Sequence, residues 1–109
     1  MSDISEYGIK VDGGRALLSG VMRLESVESY ARVLAPVRSA MAAVEAFELD
    51  TTELVFLNSS GIRALGELVL FARAQKKGLV IVGTASVPWQ RKTFASLQKV
   101  YDRIEVRLR

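Results

Sequence analysis

Two adjacent hydroxyls stand in Asn58-Ser59-Ser60-Gly61, a polar joint between an apolar run and a helically spaced stripe. Upstream, Leu54-Val55-Phe56-Leu57 is apolar without alternation, which predicts a strand buried on both faces. Downstream, Ile62, Leu65, Leu68, Val69 and Ala72 recur at the spacing of one inward helix face. The joint is too short for a free loop. Asn58 or Ser59 therefore caps the helix, its side-chain oxygen accepting from an orphan backbone N–H of the first turn. Both hydroxyls then sit at the positive end of a helix dipole and the carboxyl end of a strand, where a phosphate is well tolerated.

The composition narrows what such a joint does. With 109 residues and half of them hydrophobic, the chain reads as one domain over 1–109 with a single core. It has no cysteine, which excludes disulfides, thiolate metal sites and cysteine nucleophiles. It also has no histidine, which removes the usual general base, a common metal ligand and any histidine phosphorelay. The acidic pair Asp50 and Glu53 is better placed to cap and solvate a strand entrance than to act as acid and base. The expectation is a protein that is not an enzyme and carries no cofactor or metal.

The first residues, Met1 to Glu6, lack the apolar centre of a signal peptide, and no apolar run has bilayer-spanning length. A cytoplasmic location without membrane insertion is expected. The net charge of +3 is small, and the cations gather late, at Arg91, Lys92, Lys99, Arg103, Arg107 and Arg109. They read as a solvated helix face and a polar strand edge, so no direct contact with nucleic acid is expected.

The remaining elements must position the joint. Tyr7, Ile9 and Val11 alternate as a half-buried strand, and Asp12-Gly13-Gly14 turns it into a second strand at Ala16–Met22. Ser26 caps a helical stripe of Val27, Tyr30, Ala31, Leu34, Val37, Met41 and Val44. Pro36 falls inside that stripe and predicts a kink or break near Val33 to Ala35. Phe47–Thr52 leads into a third strand proper at Glu53–Leu57. Lys76-Lys77-Gly78 closes the helix that follows, and Leu79–Gly83 is a buried parallel strand. Pro88 opens a last helix carrying Trp89, Thr93, Phe94, Leu97, Val100 and Tyr101, with Trp89 a core anchor whose N–H is satisfied. Ile104, Val106 and Leu108 alternate as an edge strand. The order β-β-α-β-α-β-α-β predicts an α/β fold with a mixed, mostly parallel central sheet and helices packed against it.

The stretch Leu49–Leu65, with Asn58-Ser59-Ser60-Gly61 between strand and helix, resembles the signature of STAS domains, the anti-sigma-factor antagonist family. Val87-Pro88-Trp89-Gln90-Arg91-Lys92 is similar to a subgroup of STAS-like bacterial regulators with Pro-Trp-Gln at the last helix. The resemblance implies a STAS-like fold along essentially the whole chain and a partner switch in signal transduction and transcription regulation. In such a switch a serine kinase, often itself the anti-sigma factor, phosphorylates a serine of the motif. A PP2C-type phosphatase reverses the modification, and only the unmodified form binds the kinase. Carried over by position, the phosphoacceptor is Ser59, flanked by Ser60 and Gly61. Asn58 departs from the family, whose phosphorylated members usually have aspartate there. STAS domains also serve as unphosphorylated scaffolds.

A phosphate on Ser59 would add about −1.5 to −2 charges beside any docked partner. The expected docking surface comprises Asn58, Ser60, Gly61, Ile62 and Arg63 with Leu70 and Phe71. The last two fall outside the inward stripe, so one or both are expected to be exposed or half exposed. The alternative for Phe71 is packing beneath the first helix. A homo-oligomer is compatible with such a surface. The alternative function is a module binding a small ligand or nucleotide at the helix N-terminus, although no glycine-rich phosphate loop is present.

Overall fold

The computed structural model describes residues 6–109. The chain runs β1 (Tyr7–Asp12), β2 (Arg15–Met22), α1 (Val27–Val33), α2 (Ala35–Ala42), β3 (Ala46–Leu57), α3 (Ser59–Ala74), β4 (Gly78–Gly83), α4 (Pro88–Gln98) and β5 (Ile104–Leu108). The five strands form one sheet in the order β1-β2-β3-β4-β5. β1 and β2 are an antiparallel hairpin around Gly13 and Gly14, and Gly13 takes the positive φ such a turn needs. The other pairings are parallel, and β5 forms one edge. This is the mixed, mostly parallel α/β arrangement expected from the sequence.

The break in the first helical stripe falls where Pro36 places it. Leu34 ends α1 and starts α2, and Pro36 lies in the first turn of α2, where a missing N–H costs nothing. Three parallel crossovers step across the sheet in one direction. Right-handed connections then put all four helices on one face. The core lies between, built from Ala16, Leu18, Leu49, Leu79 and Ile81 of the sheet and Tyr30, Val37, Leu65, Leu68 and Phe94 of the helices. On the uncovered face, Arg15 bridges Glu48 at 2.9 Å and Asp50 at 2.6 Å, so cross-strand ion pairs screen the sheet from solvent.

Two of the sequence expectations for β3 fail, for one reason. The strand is continuous over twelve residues, and its best-flanked part is Ala46–Asp50 rather than Glu53–Leu57. Pairing with β4 ends at Asp50 opposite Val82, so the remainder has a strand neighbour on the β2 side alone. Along that remainder β3 twice outruns β2. Leu17 pairs with Asp50 and Ser19 with Glu53; then Gly20 pairs with Leu54 and Val21 with Phe56. Each extra residue on β3 shifts the side-chain alternation, as β-bulges do. The apolar run is therefore not buried on both faces: Leu54 and Leu57 are buried, while Val55 is 60% and Phe56 37% exposed.

The edge that β4 leaves open is closed by side chains of α4. Gln90, fully buried, donates from Nε2 to the carbonyls of Thr51 at 2.8 Å and Leu54 at 3.0 Å. Its Oε1 accepts from the Thr84 N–H at 2.8 Å. Trp89 Nε1 donates to the Val55 carbonyl at 3.0 Å, while its ring meets Phe94 edge-on. Trp89 is thus half-buried against the core with its N–H satisfied. Gln90→Leu keeps most of the volume but orphans two carbonyls and one N–H, so a loss of about 2–4 kcal/mol is expected in chemical denaturation.

Asp50 is not a solvated entrance residue. It is 5% exposed in the middle of β3. Burial pushes its carboxyl pKa up, but the Thr52 N–H and hydroxyl, Arg15 and Arg109 together pull it below the ordinary value. A lowered folded-state pKa favours the ionised form in the fold. Its stabilisation is full above the ordinary carboxylate pKa and disappears as pH falls through the lower folded value. Thermal melting below about pH 4 should therefore decline more steeply for the wild type than for Asp50→Asn.

Candidate functional site

The joint between β3 and α3 is organised by Asn58. Of the two capping candidates it is the one used: extended backbone, with Oδ1 accepting from the Gly61 N–H at 3.1 Å. The same Oδ1 receives the Tyr30 hydroxyl at 2.6 Å, and Nδ2 donates to the Leu24 carbonyl at 2.9 Å. One side chain therefore ties the end of β3 to α1, to the β2–α1 connection and to the first turn of α3. Burial raises the Tyr30 pKa, so its hydroxyl keeps its proton at neutral pH. Asparagine suits this position because the position needs an acceptor and a donor together. An ionised aspartate offers acceptors only and would set an oxygen against the Leu24 carbonyl.

Gly61 is buried under the same node. A Cβ there would run into the Leu57 side chain and come within 2.8 Å of Tyr30 Cζ. Its role is close packing of helix on strand, with no positive φ required.

Ser59 is the first residue of α3, exposed, and its hydroxyl makes no hydrogen bond to another described residue. Ser60 is half-buried beside it. Both backbone N–H groups lie in the unpaired first turn of a sixteen-residue helix, whereas those of Gly61 and Ile62 are taken by Asn58. The hydroxyl is thus accessible at a strand–helix boundary, in surroundings that favour negative charge.

The surrounding surface is more apolar than the sequence suggested. Ile62 does not join the inward stripe. It is exposed, and the buried face of α3 is Gly61, Ala64, Leu65, Leu68, Val69 and Ala72. Ile62 lies one turn from Ser59, next to the exposed Arg63, and Val55 and Phe56 are exposed on the strand just before the joint. The Arg23 guanidinium stacks 4.7 Å from the centre of the Phe56 ring. Further along α3, Leu70 is exposed, whereas Phe71 is half-buried and packs against the core beside α1 and α2. Leu24, Tyr30, Val55 and Phe56 belong to the site and were not singled out for it in the sequence. The one legible signal for Tyr30 was its place on the first helical stripe.

Among the described residues, no group of three or more acidic side chains is placed to hold a metal ion, and no helix is long and apolar enough to cross a membrane. Replacing Asn58 by Asp should lower the melting temperature at neutral pH, by about 4–8 °C per kcal/mol lost. Unchanged melting would show that the donor to Leu24 contributes nothing.

No protein-family model and no curated protein matches the chain significantly. Among solved structures, it is similar to the activator SiaC in the crystal structure of the diguanylate cyclase SiaD with SiaC from Pseudomonas aeruginosa. The two chains are 17% identical, and the match covers 99% of this chain and 96% of that one with a TM-score of 0.73. At that identity the likeness is one of fold. The chain has a STAS-like α/β fold, shared with SiaC over nearly its whole length.

Proposed function

We propose that this chain is a non-enzymatic regulatory module that docks on a protein partner through the β3–α3 joint and is released when Ser59 is phosphorylated. The observation that carries the reading is the exposed, unbonded Ser59 hydroxyl at the start of α3, with Val55, Phe56 and Ile62 exposed around it. A phosphate there meets a helix N-terminus that favours anions, so the fold survives the modification. A partner seated on the apolar residues instead faces a hydrated dianion. A clashing or lost charge contact of that kind costs about 2–5 kcal/mol of affinity, tens- to thousands-fold in binding.

The writer of this mark is a serine kinase and its eraser a PP2C-type phosphatase, as the STAS resemblance implies. In that family the kinase often doubles as the anti-sigma factor, and it is then the partner released. A second reading of the partner is favoured by the fold shared with SiaC, which activates a diguanylate cyclase. On that reading the docked protein is an enzyme whose activity depends on the unmodified form. Both readings share one surface and one gate.

Affinity capture from the native host with wild type, Ser59→Ala and Ser59→Asp tests the gate. Ser59→Ala should retain the captured protein and Ser59→Asp should lose it by at least about tenfold, with melting temperatures nearly equal. Equal capture by all three variants excludes phosphorylation of Ser59 as the control.

A further inference from the structure

A groove of about 380 Å³ lies between the first helical pair and α3, away from the Ser59 hydroxyl. Its floor is apolar: Val27, Ala31 and Leu34 on one side, Ala64, Leu70 and Phe71 on the other. Its two walls end in opposite charges, Arg38 on α2 and Glu67 on α3. Neither forms an ion pair within the described residues. Arg38 is held in place by donating to the Ala31 carbonyl at 2.8 Å, which leaves further guanidinium N–H groups to be satisfied.

We propose that this groove receives an amphipathic α-helix of the protein partner. The proposal rests on the reading of the chain as a partner-binding regulator, and it names the partner's contacting element. The trough between two packed helices suits a third helix, laid in by ridges and grooves. From Ala64 to Phe71 the α3 wall spans about 10 Å, so it would meet about two turns of a ligand helix with anchors at i, i+3 or i+4, and i+7. The charges set the flanks: an acidic residue beside α2 to meet Arg38, and a basic one beside α3 to meet Glu67. No described helix of a second copy offers such a stripe: the exposed large apolar residues on its described helices are Ile62 and Leu70, both on α3.

The test uses two synthetic helical peptides of about 14 residues with one leucine stripe and exchanged acidic and basic flanks. Binding to the full chain is followed by amide chemical shifts and by fluorescence anisotropy. The peptide with the matching flanks should shift the amides of Ala31, Leu34, Leu70 and Phe71. Leu70→Glu should weaken it at least about tenfold without lowering the melting temperature, and Glu67→Lys should reverse the preference between the peptides. The proposal is overturned if neither peptide shifts these amides at about 1 mM. It is equally overturned if dodecanoate alone reproduces the shifts at lower concentration, or if they track dimerisation of the chain by light scattering. Peptide binding alongside capture that ignores Ser59→Asp would leave the groove assigned and the gate rejected. Capture lost in Ser59→Asp with an empty groove would do the reverse.

Discussion

β3 is longer than the neighbour that should cover it, and much of the structure follows from that mismatch. Its pairing with β4 stops at Asp50, yet the strand continues to Leu57 before α3 begins. Unpaired carbonyls along a buried strand edge are costly, so other groups must be brought to them. Gln90 and Trp89 supply the donors, and Pro88 starts α4 so that both fall in its first turn. The conspicuous Pro-Trp-Gln triplet is thus a device for ending a sheet early on one side. The last residues of β3 have a strand neighbour only on the β2 side, and there Val55 and Phe56 are exposed.

The polar groups inside the sheet follow the same logic of paired need. Thr51, fully buried, donates its hydroxyl to the Val82 carbonyl at 2.8 Å, at the point where the β3–β4 ladder ends. Asp50 is held by Thr52 on its own strand and by Arg15 across the sheet. Thr51 supplies a side-chain donor where the β3–β4 ladder ends, and the Asp50 carboxylate takes the Thr52 N–H beside the first bulge against β2. The face of the sheet without helices is consequently charged but ordered.

The joint combines rigidity and accessibility. Asn58 fixes the helix start through three partners from three segments, while the hydroxyl of the next residue, Ser59, bonds no other described residue. On the proposed reading, a phosphate on Ser59 would add charge to the surface without removing a side-chain hydrogen bond that the fold uses. A surface whose electrostatics change while its backbone does not is what a binding switch requires. The apolar groove beside α3 extends that surface along the same helix.

The sequence by itself determined the order and type of elements, the hairpin, a kink or break before Pro36 and the position of the polar joint, because these depend on local periodicity, turn residues and caps; that the first helix is two, α1 and α2, it left open. It also singled out Ser59, and it found the capping pair without choosing between its members. Tertiary structure alone decided that Asn58 is the cap, since the choice rests on Tyr30 and Leu24, which are remote in sequence. It alone exposed Val55 and Phe56, because two bulges against β2 and the early end of the β4 pairing are properties of strand pairing, not of the apolar run itself. Periodicity records which residues are able to be buried; register and neighbours settle which ones are.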